Sequence, residues 1–222
     1  WELKARTTGE VLKVIKAEDL FKQLAQASWE CADPGIQFDT TINRWHTTPV
    51  SGRINGSNPC SEYVHLDNSA FNLSSLNLLN FLNDDNEFDV DGFRHAVRIM
   101  ITAQEIIVSP SDYPTETIGD NARKYRQLGL GYTNLGALLM ALGLAYDSDD
   151  ARSLAAVITA IMTGEAYKTS SQIAARLGSF EGYDLNKEAM LSVLNAHREA
   201  IANIPVNEAV PPALRAAAVE VW

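Results

Sequence analysis

A chain of 222 residues, 46% hydrophobic and 21% charged, reads as one large domain or a domain and a half with enough apolar mass for a real core. Its net charge of −10 argues against a nucleic-acid-binding surface or attraction to an anionic membrane. A nucleotide substrate, which needs only a few local donors, is not excluded. Cys31 and Cys60 stand outside any CxxC pattern, so the sequence offers neither a disulfide framework nor zinc spacing. They fit a reducing cytoplasm, and no apolar run approaches the length of a membrane span.

In chain order, residues 1–16 mix polar and apolar types, and the run Val11–Ile15 suits a strand. From Ala17 to Ala32, Leu20, Phe21, Leu24, Ala27 and Cys31 recur at three and four, which predicts an amphipathic helix stopped by Asp33-Pro34-Gly35. Cys31 falls on the apolar stripe and reads as a small core residue. Residues 36–72 are punctuated by Pro49, Gly52, Gly56 and Pro59 and predict short extended pieces and loops. The apolar run Leu73–Leu82 predicts a helix buried on several sides. Asp89–Val108 predicts another, with Val90, Phe93, Val97 and Met100 on one face.

Gly129–Leu142 is nearly uncharged and reads as buried. Its Gly129, Gly131 and Gly136 follow G-x-G-x4-G, which is not the dinucleotide fingerprint, so close helix packing through small residues is the expectation. Ser148–Leu177 reads as one long helix or two abutting ones, capped at Asp147 or Ser148 and ended by Gly178. Asn186–Ile204 predicts an amphipathic helix, and Pro211-Pro212 suits the entry to a last one.

The chemistry concentrates in Ser57-Asn58-Pro59-Cys60-Ser61-Glu62. Pro59 disfavours a helix and biases Asn58 toward extended geometry. In an extended segment Asn58, Cys60 and Glu62 share one face, bringing an amide, a thiol and a carboxylate together. Spacing alone favours the plainer alternative, a polar turn with a buried thiol. As a hydrolytic nucleophile Cys60 would need a lowered pKa, and Glu62 beside it disfavours the thiolate. A thiol kept neutral beside a carboxylate suits hydrogen-atom exchange better. His46 and His65 flank the loop without metal-ligand spacing, so no metal site is expected. His46 in Trp45-His46-Thr47 remains a candidate to line a cofactor or substrate cavity.

Asn58-Pro59-Cys60-Ser61-Glu62 stands among further motifs: Asn43-Arg44-Trp45-His46-Thr47, His65-Leu66-Asp67-Asn68-Ser69, Ser109-Pro110-Ser111-Asp112-Tyr113-Pro114-Thr115-Glu116, Tyr125–Tyr132 and Met162–Tyr167. Together they resemble the large chains of ribonucleotide reductase, most closely the adenosylcobalamin-dependent (class II) type. The resemblance covers essentially the whole chain and implies an internal piece of a longer one, without an earlier half-barrel or a later Pro-Thr-Gly-Thr phosphate loop. The implied fold is α/β and mainly helical: part of a ten-stranded α/β barrel, with the active-site loop near 55–72 and a helical region over 73–222, forming one partial domain over 1–222.

By that resemblance Cys60 is the thiyl-radical residue, Glu62 accepts the 3′-hydroxyl proton, and Asn58, with Ser57 beside it, holds the sugar hydroxyls. The implied cofactor is adenosylcobalamin and the substrate a ribonucleoside di- or triphosphate. The implied partners are the missing barrel half, in the same or a second chain, and a second copy when complete; no nucleic acid or membrane is expected. Phe71 departs from the pattern, standing where the family usually carries a redox cysteine. Without the first barrel half and the phosphate-binding segment, the isolated chain is expected to be inactive, with an inactive fragment or homologue that only binds nucleotide or a partner subunit as the alternative.

Overall fold

The parallel strand pair β5 (Asn72–Asn77) and β6 (Leu128–Thr133) lies at the centre of the computed structural model, which describes residues 1–222. The register runs from Asn72 opposite Leu128 to Asn77 opposite Thr133. Strand alternation puts Leu76, Leu128, Leu130 and Tyr132 on the face that packs against the core. Parallel strands cannot be joined by a tight turn, and the crossover here holds α3 (Val90–Val108) and α4 (Glu116–Tyr125). Gln104 of α3 ties it to both strands: its Nε2 donates to Gly129 O at 2.5 Å, and Asn72 Nδ2 donates to Gln104 O at 2.8 Å.

Two further pairs are antiparallel: β1 (Glu2–Lys4) with β2 (Val11–Val14), and β3 (Ile54–Ser57) with β4 (Val64–Leu66). The other helices are α1 (Ala17–Cys31), α2 (Asp39–Arg44), α5 (Leu135–Ala141), α6 (Asp149–Leu177), α7 (Tyr183–Ala200) and α8 (Pro212–Glu220). Phe93, Val97 and Ile101 of α3 join Leu154, Ile158 and Ile161 of α6 and Leu214 of α8 in one buried cluster. Local chemistry marks the ends. Asp89 Oδ1 accepts from Gly92 N at 2.9 Å and Ser148 Oγ from Ala151 N at 3.1 Å, while Gly178 ends α6 at φ +91°.

One ionic cluster crosses this core. Glu165 on α6 is 1% exposed and accepts from Arg94 Nε at 2.7 Å and Arg98 Nη1 at 3.2 Å; Arg94 also reaches Glu220 of α8 at 3.1 Å. Burial pushes the Glu165 carboxyl up, but the hydrogen bonds from Arg94 and Arg98 outweigh it and hold it below its ordinary value.

Three expectations are corrected. Leu73–Leu82 is not a helix: strand β5 gives way to a 3₁₀ turn over Leu78–Phe81, because pairing with β6 outweighs local apolar content. Gly129 and Gly131 lie in β6 rather than between helices, and a Cβ on Gly129 would come within 2.5 Å of the Phe71 ring. Cys31 is exposed, because α1 buries no residue and its apolar stripe meets no packed surface in this chain. The mainly helical mixture with few strands holds, and the six strands form three separate pairs.

A buried charge that loses its partner is costlier than the pair is valuable. Arg94→Met therefore destabilises the chain by roughly 3 kcal/mol in denaturant unfolding. Replacing Arg94 and Glu165 together by Met recovers most of that loss.

Candidate active-site hairpin

Residues 58–63 close the hairpin between β3 and β4. Ser61 N donates to Asn58 O at 3.1 Å, so Asn58–Ser61 form a turn with Pro59 at its second position, and Ser61 lies at φ +65°. Asn58 and Tyr63 clamp the base: Asn58 N donates to Tyr63 O at 3.2 Å, and Tyr63 N donates to Asn58 Oδ1 at 3.0 Å. The loop is a tight turn, not an extended segment, so alternation does not set the directions of Asn58, Cys60 and Glu62. They are gathered on one hairpin tip instead. Cys60 is exposed, which also overturns the buried-thiol alternative; Glu62 is exposed and Asn58 half-buried.

The segment after α1 steadies this tip. Gln37 Nε2 donates to Ser57 Oγ at 3.1 Å and to Ser61 Oγ at 2.8 Å, while Ser57 Oγ donates to Asn58 O at 2.9 Å. Sequence reading passed over Gln37, which carries no motif signal of its own. It also passed over Asn186 of α7, which accepts from Val50 N at 2.9 Å and donates to Ser51 Oγ at 2.7 Å. A fully buried asparagine inside an amphipathic helix is the signal that locates such a tie.

Beneath the hairpin lies a buried polar layer. His65 Nε2 meets Thr48 Oγ1 at 3.0 Å and its Nδ1 meets Ser69 Oγ at 2.8 Å. His46 Nε2 donates to Gly52 O at 3.1 Å, and its Nδ1 accepts from Thr48 N at 3.4 Å. Burial pushes the His65 imidazole down to about 4, with nearby His46 adding to the shift, and burial likewise lowers His46. His46 does line a cavity, of about 330 Å³, with Trp45, Ile54, Val64, His65 and Gln127. Both histidines have both ring nitrogens in hydrogen bonds.

Phe71 enters from the start of β5. Its ring stacks on Tyr63, centroids 4.2 Å apart at 23°, and Tyr63 stacks in turn on His65 at 6.3 Å. The Tyr63 hydroxyl is buried and makes no hydrogen bond of good geometry. Burial pushes that phenol up to about 12, opposed only in part by the Ser69 hydroxyl nearby.

The family model described as "Ribonucleotide reductase, barrel domain" matches residues 2–209. The chain belongs to this family. It is 51% identical over 224 aligned residues to a vitamin B12-dependent ribonucleotide reductase of Streptomyces clavuligerus, covering 99% of this chain and 23% of that protein. A vitamin B12-dependent ribonucleotide reductase of Rhodopirellula baltica is 50% identical over 206 residues, 93% of this chain and 20% of the relative. A vitamin B12-dependent ribonucleoside-diphosphate reductase of Mycobacterium tuberculosis is 34% identical over 176 residues, 79% of this chain and 25% of the relative. The chain thus spans about a quarter or less of the length of these reductases. No helix of this reductase-family chain is long and apolar enough to cross a membrane.

The His65 shift has a defined sign. Its folded pKa lies below the ordinary 6.5, so the unfolded chain binds a proton first as pH falls. The stabilisation is fully present above pH ~6.5 and is lost down to pH ~4, a change of roughly 3 kcal/mol. Urea unfolding between those pH values should show this slope, and His65→Gln should flatten it.

Proposed function

We propose that this chain carries the radical loop of an adenosylcobalamin-dependent ribonucleotide reductase, with Cys60, Glu62 and Asn58 acting on the ribose of a ribonucleotide. The hairpin tip supports this most directly. An exposed thiol and a carboxylate stand two residues apart, neither tied to another side chain, above an amide fixed at the hairpin base. The donor set fits the cofactor. Cys60 is a free, exposed thiol and so is open to a bulky group. When bound, adenosylcobalamin supplies the acceptor for the Cys60 thiol hydrogen.

The rest of the chemistry belongs to the chain. The Cys60 sulfur, as a thiyl radical, takes the ribose 3′ hydrogen: the C3′–H bond breaks, an S–H bond forms, and the unpaired electron passes to C3′. The Glu62 carboxylate takes the 3′-hydroxyl proton and passes a proton to the 2′-hydroxyl. The C2′–O bond then breaks, water leaves, and a 3′-keto sugar keeps the unpaired electron at C2′. Asn58 Oδ1 accepts from Tyr63 N, which fixes the amide plane and leaves its NH₂ donors and the second lone pair of Oδ1 for the sugar hydroxyls. The Ser57 hydroxyl proton is committed to Asn58 O, so Ser57 contributes by holding Asn58 in place. We place β5 and β6 among the ten strands of the family barrel, completed by the remaining half in the same or a second chain, in an assembly with a second copy.

Phe71 favours a second reading, a protein that keeps the radical loop but does not turn over with thiols. A benzyl side chain neither protonates a leaving hydroxyl nor forms a disulfide. The two electrons that reduction requires must then come from a donor other than residue 71.

The complete protein, as its source organism makes it, tests both readings when given adenosylcobalamin, a dithiol and each ribonucleoside di- or triphosphate. The reductase reading expects deoxyribonucleotide, abolished by Cys60→Ser and slowed roughly 10²-fold by Glu62→Gln, the usual scale for loss of a general base. Product formed by Cys60→Ser would remove Cys60 as the radical carrier. Dependence of turnover on a donor other than the dithiol would favour the second reading.

A further inference from the structure

We infer that Phe71 is a positioning residue, whose ring braces the Asn58–Glu62 tip through Tyr63; its catalytic consequence rests on the reductase reading above. Phe71 precedes Asn72, the first residue paired with β6, and Asn72 is bound to Gln104 of α3. The ring is therefore mounted next to a strand that is paired with β6 and tied to α3. Behind it is Gly129, whose missing side chain leaves the room: a Cβ there would stand 2.5 Å from both Phe71 Cδ2 and Cε2. In front of it is the Tyr63 ring at 4.2 Å and 23°, within the range of offset-stacked pairs.

Tyr63 is the link to the tip. Its backbone N–H and C=O hold Asn58 at the side chain and main chain respectively. Its buried hydroxyl makes no hydrogen bond of good geometry, the Ser69 hydroxyl being the polar group beside it. Ring contacts therefore carry more of the fixing of Tyr63 than its phenol does, and Phe71 supplies the closest of its aromatic contacts. A smaller or non-planar side chain at 71 would leave Tyr63 supported on one face only. Placement would then pass from the β5–β6 core to Phe71, to Tyr63, and to the Asn58 amide.

The test is backbone hydrogen exchange and steady-state kinetics on the complete protein with Phe71→Met, Phe71→Leu and Phe71→Tyr. Losing one aromatic contact should speed exchange at the Tyr63 amide about threefold to tenfold in the Met and Leu variants. The β6 amides should be unchanged, and Phe71→Tyr, which keeps the ring, should restore protection. In an active enzyme kcat should fall by a similar factor at constant KM, since positioning of the reacting groups is lost while remote substrate contacts remain. Gly129→Ala, which forces the ring aside, should mimic Phe71→Met, and the two changes should not add. If Leu compromises folding, Met decides. Unchanged Tyr63 exchange in the folded Met variant overturns the brace. Absence of any deoxyribonucleotide from the unsubstituted protein overturns the reductase reading instead, while the exchange result still decides the brace.

Discussion

Parallel pairing of β5 with β6 is the constraint on which the rest depends. Two parallel neighbours need a long crossover, and here α3 and α4 supply it, with α3 laid across the pair and held by Gln104. Once α3 is placed, its Phe93–Val97–Ile101 face must be covered, and α6 and α8 cover it. The buried Glu165, bonded to Arg94 and Arg98 and joined through Arg94 to Glu220, then ties the three helices in one register. Such a cluster contributes little net stability against an apolar substitute, but it penalises any sliding of the helices that separates the charges.

The helices were legible where periodicity and end chemistry agreed. Asp89, Ser148 and Gly178 bound α3 and α6 as read, because a cap is a local interaction between residues three or four apart. Leu73–Leu82 was misread because its partner lies some fifty residues on, and an apolar run by itself fits a strand as well as a helix. The stripe on α1 was read correctly as a face and wrongly as a core. Amphipathicity states which side of a helix is apolar, not what covers it, and in this chain nothing does.

The site divides along the same line. The types of Asn58, Cys60 and Glu62 were visible in the sequence; their arrangement was not. Pro59 suits an extended segment and the second position of a turn equally well, and the positive φ of Ser61 has no sequence mark. The clamp between Asn58 and Tyr63 was likewise invisible, since a backbone N–H donating to an amide oxygen carries no composition signal. Phe71 was identified as a departure from the family pattern, but its contacts with Tyr63 and Gly129 emerge only when β5 and β6 are side by side.

The resulting hairpin is rigid at its base and open at its tip. His46, Thr48, His65 and Ser69 form a hydrogen-bonded layer beneath it, and burial keeps both imidazoles neutral through the physiological range. A neutral layer of this kind supports the hairpin by hydrogen bonding rather than by charge. Phe71 fits the same pattern. It places apolar area against Tyr63 and the bare backbone of Gly129. Packing at Phe71 and the hydrogen bonds of His46, Thr48, His65 and Ser69 thus both support the hairpin base.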